Sequence, residues 1–112
     1  MGGSAVERTV NLPNTGQVSS LPMGAVLEGT TLVNSVGFHP LGYGELPPGI
    51  NTILQRILGA QALTVEAALN ADRNLIVQTF MSDLTAIRKA DAEKLVDCIL
   101  YTHKEHLPQF FK

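Results

Sequence analysis

The sequence predicts an α+β fold: about three helices packed on a small, mostly antiparallel sheet, with a Gly/Pro-rich loop at its rim. Three observations predict it. Downstream of Pro48, apolar residues recur at three- and four-residue spacing, the period of a helix with one buried face. Near the N-terminus, residues 7–12 and 24–28 are short, alternating and β-branched, the pattern of strands. Between them and the helices, residues 38–49 gather three of the 10 glycines and three of the 6 prolines. A stretch so composed is a loop, and neither a helix nor a central strand can run through it.

Taken in order, Met1-Gly2-Gly3-Ser4 has the composition of a flexible start. The first strand, residues 7–12, runs into Pro13-Asn14-Thr15-Gly16, a turn by its chemistry, since Asn tolerates and Gly freely adopts positive φ. Residues 18–22 lead to a second strand that starts at Gly24 and reaches toward Val33. Two such strands are unstable alone and need the helices. Pro48 suits a first helical turn, where its missing N–H costs nothing. The stripe Ile50, Ile53, Leu54, Ile57, Leu58, Ala62, Val65, Ala68 and Leu69 is expected to be buried, with Asn51, Gln55, Gln61, Thr64 and Glu66 facing water. Asn70-Ala71-Asp72 offers a cap, and Leu75, Ile76, Val77, Phe80 and Met81 form a second, shorter helix. A third helix is expected over residues 86–107, its inner face Ala90, Leu95, Val96, Ile99, Leu100 and His103, with Pro108 stopping it. Asp91 lies at pairing distance from Lys94 or Leu95. Phe110 and Phe111 are too apolar for a free tail and should dock.

Length and composition bound the function. With 112 residues, 45% of them hydrophobic and 16% charged, the chain is one small domain or a piece of a larger protein. A net charge of -2 with scattered basic residues gives no electrostatic footprint for nucleic acid. The single Cys98 rules out an internal disulfide and suits a reducing compartment. No apolar run reaches the ~18–20 residues of a bilayer span, and no secretory signal precedes the first strand. A cytoplasmic location is therefore expected.

Each candidate site has a plainer alternative. The Gly-rich loop at residues 39–49 ends at a helix N-terminus and could cradle an anion, or could simply connect. No lysine follows its glycines and its spacing fails the dinucleotide fingerprint. His103 and His106 stand three apart and could share a metal, but no third ligand is evident, and a solvated helix end explains them as well. Cys98 sits beside Asp97, the wrong environment for a thiolate, and reads as a small buried hydrophobe. Tyr43, His39 and Glu45 have acid–base chemistry but no motif that joins them.

The ordered blocks Val10-Asn11-Leu12-Pro13-Asn14-Thr15-Gly16-Gln17-Val18, Leu21-Pro22-Met23-Gly24-Ala25-Val26-Leu27-Glu28, Gly37-Phe38-His39-Pro40 and Gly44-Glu45-Leu46-Pro47 resemble the C-terminal region of family 4 glycoside hydrolases. So do Leu63-Thr64-Val65-Glu66-Ala67-Ala68-Leu69 with Asp72-Arg73, then Ser82-Asp83-Leu84-Thr85, and the closing Lys94-Leu95-Val96-Asp97 to His103-Lys104-Glu105-His106-Leu107-Pro108. The resemblance covers nearly all of residues 10–111. One local departure is Gly29-Thr30, where the family usually carries an apolar residue and Pro.

The resemblance implies membership of a group that includes α-glucosidases, α-galactosidases, α-galacturonidases and 6-phospho-glycosidases. These enzymes oxidise the sugar at C3 with tightly bound NAD, polarise the ketone with a divalent metal, usually manganese, and eliminate the glycosidic bond. Their fold is a Rossmann domain followed by a C-terminal domain like that of lactate and malate dehydrogenases. Since the family's dinucleotide turn, metal ligands, base and acid belong to its earlier two thirds, no catalytic, cofactor or metal residue carries over, and Cys98 is not the metal cysteine. The chain is expected to be a single-domain C-terminal portion, inactive alone and binding no cofactor itself, with NAD and manganese belonging to the full-length family. Asn11, Asn14, Gly16, His39 and Tyr43 are the expected contacts to substrate or to a neighbouring subunit. Its expected partners are a second copy or an N-terminal Rossmann domain, with glycoside bound only in the full-length protein, and neither nucleic acid nor membrane. The rival expectation is a stand-alone domain that self-associates through helix faces and Phe110-Phe111.

Overall fold

A computed structural model describes residues 4–83 and 87–112. The flexible start at residues 1–3 and a third-helix origin at Ala86 fall outside the described residues. The chain forms two compact units, Met1–Leu54 and Gln55–Lys112. Three helices and a three-stranded antiparallel sheet make the expected α+β class.

The first unit holds the sheet, β1 (Val6–Pro13), β2 (Val26–Asn34) and β3 (Gly37–Pro40), in the order β1-β2-β3. β1 and β2 pair antiparallel from Val6 opposite Val33 to Pro13 opposite Val26. β3 corrects the reading of residues 38–49 as all loop: Phe38, His39 and Pro40 pair with Val33, Leu32 and Thr31. The strand exists because it is short, lies at the edge, and places its proline where no N–H is asked for. Leu41 N–H bonds to Thr30 O, so the ladder alternates away from Pro40. By the same alternation Thr30 turns both its backbone groups toward β3, and Thr9 opposite it turns both of its own away from β2.

α1 (Pro48–Asn70) starts in this unit and runs on into the second, as its stripe predicted, but burial differs from expectation. Only Ala60 and Ala67 are buried, while Ile50, Ile53, Val65 and Leu69 are exposed, Leu69 at 81%. The 3.6-residue period set the helix, and its stripe is covered only in part, with Leu54, Ile57 and Leu58 half-buried.

In the second unit Asp72 serves two helices at once. Ala71 adopts φ +53 and Asp72 N–H bonds back to Ala67 O, a Schellman-type end to α1. The Asp72 carboxylate then accepts from Asn74 and Leu75 N–H, capping α2 (Arg73–Ser82). At the far end of α2, Arg56 donates to the carbonyls of Ser82 and Asp83, placing a cation on the negative end of the helix dipole. α3 (Lys89–Thr102) packs on α2 through Val77, Ala92, Val96 and Leu100, with Ile76, Phe80, Ile87, Leu107 and Phe110 around them.

α3 is shorter than the expected 86–107 and turned differently. It stops at His103, whose N–H still reaches Ile99 O, and Pro108–Phe111 forms a separate 3₁₀ turn. The buried residues Ala92, Val96 and Leu100 follow a four-residue step, leaving Ala90, Leu95 and His103 exposed. Cys98 lies about 200° around the helix from Val96, so it is exposed, not a buried hydrophobe. Asp91 pairs with Arg88, not with Lys94, and Lys89 pairs with Glu93. Arg73 ties α2 to α3 through Asp97 at 2.6 Å, and that hydrogen bond holds the Asp97 carboxyl below its ordinary range. Its contribution is present at neutral pH and lost as pH falls through the lowered value; with both groups largely solvated, it is small. Phe110 docks on the core as expected, whereas Phe111 remains exposed.

The strained Ala71 gives a direct test. Ala71→Gly should stabilise the chain by about 0.5–1 kcal/mol in urea unfolding, because glycine pays no Cβ penalty at positive φ.

Candidate functional site

Three of the five site residues named from the sequence, Asn14, Gly16 and Tyr43, gather at the connection between β1 and β2, and Asn14 builds that connection. Asn14 is 1% exposed. Its Nδ2 donates to the carbonyls of Val18, Leu21 and Pro22 at 2.9, 3.0 and 3.1 Å. Its Oδ1 accepts from the N–H groups of Gly16 and Val18, both at 3.2 Å. Its backbone N–H reaches Ala25 O, and its carbonyl takes Gly24 N–H. An amide has two donor hydrogens and two acceptor lone pairs, so this side chain has nothing left to offer a ligand. Asn14 is therefore a scaffold, and Gly16 at φ +120 takes the turn that brings Val18 inward to be buried.

A strap formed by residues 41–46 lies against this turn. Tyr43 and Gly44 N–H both bond to Gln17 O, Ser19 N–H bonds to Gly44 O, and Leu46 N–H reaches the Ser20 hydroxyl. The strap continues along β2 where β3 has ended. The Tyr43 phenol oxygen accepts from Thr30 N–H at 2.7 Å. A Cβ on Gly29 would meet the Tyr43 ring at 3.3 Å, so the ring lies against the glycine. Gly29-Thr30 thus has a local reason: one residue makes room for the ring, and the next keeps the N–H that a proline would lack.

The N–H groups of Leu41, Tyr43, Gly44 and Leu46 are committed to protein acceptors, so residues 41–46 work as a connecting strap. The structure brings Asn14, Gly16 and Tyr43 into one loop assembly through Gln17. His39 lies elsewhere, on β3, with its Nε2 at 3.2 Å from Asn34 Oδ1 beside the β2–β3 turn. Asn11 is exposed on β1 opposite Glu28. Sequence reasoning missed Gln17, Gly29, Thr30 and Ser20; the Gly29-Thr30 departure was the available signal for two of them. His103 and His106 are both exposed. Among the described residues no three His, Cys, Asp or Glu side chains gather as metal ligands. No described helix is long and apolar enough to cross a membrane.

The second unit contains one further feature, an apolar cleft of about 250 Å³ lined by Ile76, Phe80, Val96, Leu100, Leu107 and Phe110 among others. Thr64, placed on the solvated side by the sequence pattern, also lines it.

Residues 1–86 match the model of the family 4 glycosyl hydrolase C-terminal domain. The chain belongs to that family. It is 36% identical over 99 residues to an alpha-galacturonidase of Thermoanaerobacterium saccharolyticum, covering 88% of this chain and 21% of that protein. An alpha-galacturonidase of Bacillus subtilis is 33% identical over 101 residues, covering 89% and 23%. The structure of the 6-phospho-beta glucosidase from Thermotoga maritima with manganese, NAD+ and glucose-6-phosphate superposes with a TM-score of 0.84 at 26% identity, covering 92% of this chain and 26% of that one. The chain thus spans about a quarter or less of these curated relatives.

The described residues do not fit a dinucleotide or a metal. Their sheet is antiparallel throughout, so it has no parallel crossover at whose crevice a pyrophosphate would sit, and no ligand cluster exists for a metal. No reaction step is assigned to these residues.

Asn14→Ala should cost about 3 kcal/mol or more, since it removes five side-chain bonds to the backbone, three of them buried. Asn14→Asp should be worst above the titration of its new carboxyl, where a charge faces three carbonyl oxygens, and milder at acid pH; denaturation midpoints across pH would check both. Tyr43→Phe should lose about 1 kcal/mol and speed amide exchange at Thr30, with the exchange of Leu32 unchanged.

Proposed function

We propose that this chain is the C-terminal substrate-side and assembly portion of an NAD- and divalent-metal-dependent glycosidase that cleaves O-glycosyl bonds by oxidation and elimination. The observation that carries this reading is the family match over residues 1–86, together with α-galacturonidase relatives of which the chain covers about a fifth. Alone it is inactive in this reading, because the described residues offer neither a metal-ligand cluster nor a parallel crossover for a dinucleotide. In the complete enzyme, exposed Asn11, Gly16, His39 and Tyr43 face the sugar or a neighbouring subunit, with Asn14 holding the turn that presents Gly16.

One observation favours a second reading, a self-associating domain without catalysis. The apolar residues Ile50, Ile53, Val65 and Leu69 of α1 are exposed together on one helix. In the enzyme reading, the same face is covered by the Rossmann domain or by another subunit.

A chimera separates the two. The corresponding C-terminal segment of the Bacillus subtilis alpha-galacturonidase is replaced by this chain and assayed with NAD, Mn2+ and a p-nitrophenyl galacturonide. Measurable turnover is expected, with no turnover from the chain by itself. His39→Ala and Asn11→Ala in the chimera should lower kcat/KM or change oligomer size. A folded, NAD-binding chimera without turnover would overturn the glycosidase reading and leave the interaction domain.

A further inference from the structure

The two edges of the sheet are treated differently. On the β3 side the edge is blunted: β3 has only four residues, ends at Pro40, and gives way to the strap whose Tyr43 phenol occupies Thr30 N–H. Short strands, edge prolines and covering loops are how proteins discourage strand addition. On the β1 side the blunting is confined to the ends, where the Arg8 guanidinium donates to the Glu7 carbonyl and the Gln17 side chain to the Pro13 carbonyl. β1 runs eight residues with no glycine, its only proline is terminal Pro13, and it is mostly exposed. The backbone groups of Glu7, Thr9 and Asn11 point outward, since Arg8, Val10 and Leu12 face β2 in the alternating ladder. Among the described residues, the Glu7 carbonyl takes the neighbouring Arg8 guanidinium, and no hydrogen bond is made to the outward groups of Thr9 or Asn11.

We infer that β1 pairs antiparallel with β1 of a second copy of this chain, about a two-fold axis passing through Thr9. The occupant follows from the charges. A regular antiparallel ladder joins outward-facing residues to each other; an Asn11 centre sets Pro13, without an N–H, against Thr9, which leaves symmetric registers centred on Glu7, Arg8, Thr9 or Val10. Centring on Glu7 sets two carboxylates directly opposite, and centring on Arg8 sets two guanidiniums opposite; both oppose like charges. Centring on Val10 brings Pro13 against Glu7, where proline has no N–H to give. Centring on Thr9 places Thr9 on Thr9, Glu7 on the Asn11 amide, Arg8 on Val10, and Val6 on Leu12. Polar groups meet on one face, apolar groups meet at the ends of the other, and no like charges oppose. The strand is self-complementary in one register, as a two-fold interface requires. This inference holds whether or not the chain serves a glycosidase; it takes Asn11 as a contact to the second copy and uses neither the α1 face nor the cleft.

Size exclusion with light scattering over a concentration series tests it on the whole chain. The wild type should dimerise. Thr9→Lys and Thr9→Glu, each opposing like charges at the axis, should weaken the dimer about tenfold or more while circular dichroism stays native. An equimolar mixture of the two variants should restore it, because an ammonium then meets a carboxylate across the axis. A wild type monomeric at every concentration would overturn the inference. So would a dimer that Thr9→Lys leaves intact, which would assign association to another surface. If the variants fail to fold, amide exchange in the wild type decides: Thr9 and Asn11 should slow with rising concentration, and exchange independent of concentration would sink the pairing.

Discussion

The amide of Asn14 is the constraint on which the first unit depends. A chain leaving β1 must reverse and return as β2 after a dozen residues, and those residues form no regular ladder of their own. Buried backbone groups need partners wherever they lie. Asn14 supplies them from one side chain, taking three carbonyls and two N–H groups. Val18 and Leu21 are then buried against it, and the strap at residues 41–46 has a fixed surface to bond to. An Asp there could accept but not donate; a Gln would displace the amide by a methylene. The geometry asks for this residue, which is why a polar side chain holds the most enclosed place in the connection.

Much of this architecture was legible from local pattern. The α1 bounds followed from Pro48 and Asn70-Ala71-Asp72, and the β1 and β2 strands from β-branched alternation. What failed depended on information that local pattern does not carry. Gly37–Pro40 looked like loop because proline suppresses strand propensity, yet at an edge position a missing N–H costs nothing. Cys98 looked buried because its neighbours are apolar, but the α3 core steps by four from Ala92, and that phase comes from α2 packing. Asn14 looked like a contact because polar turn residues usually face water. Its burial depends on Leu21 and Pro22, seven and eight residues downstream.

The exposed α1 face sets this helix apart from α2 and α3. A 23-residue helix with apolar residues on one side and almost none of them buried is incomplete as a packing element. The curated relatives that the chain matches are about four times its length. The second unit shows the contrast. There α2 and α3 bury Val77, Ala92, Val96 and Leu100 between them and form their own core.

Asp72 has a mechanical consequence. One residue ends α1 through its backbone and begins α2 through its carboxylate, and Arg56, about four turns back on α1, grips the far end of α2. Two fastenings at opposite ends of the shorter helix make the pair an elbow of fixed angle, not two rods on a slack tether. The α1 segment beyond Gln55 would then act as a lever: a push on its exposed flank by whatever covers it would be delivered to α2 as rotation. The α2–α3 core, and the apolar cleft it lines, would feel a partner they never touch.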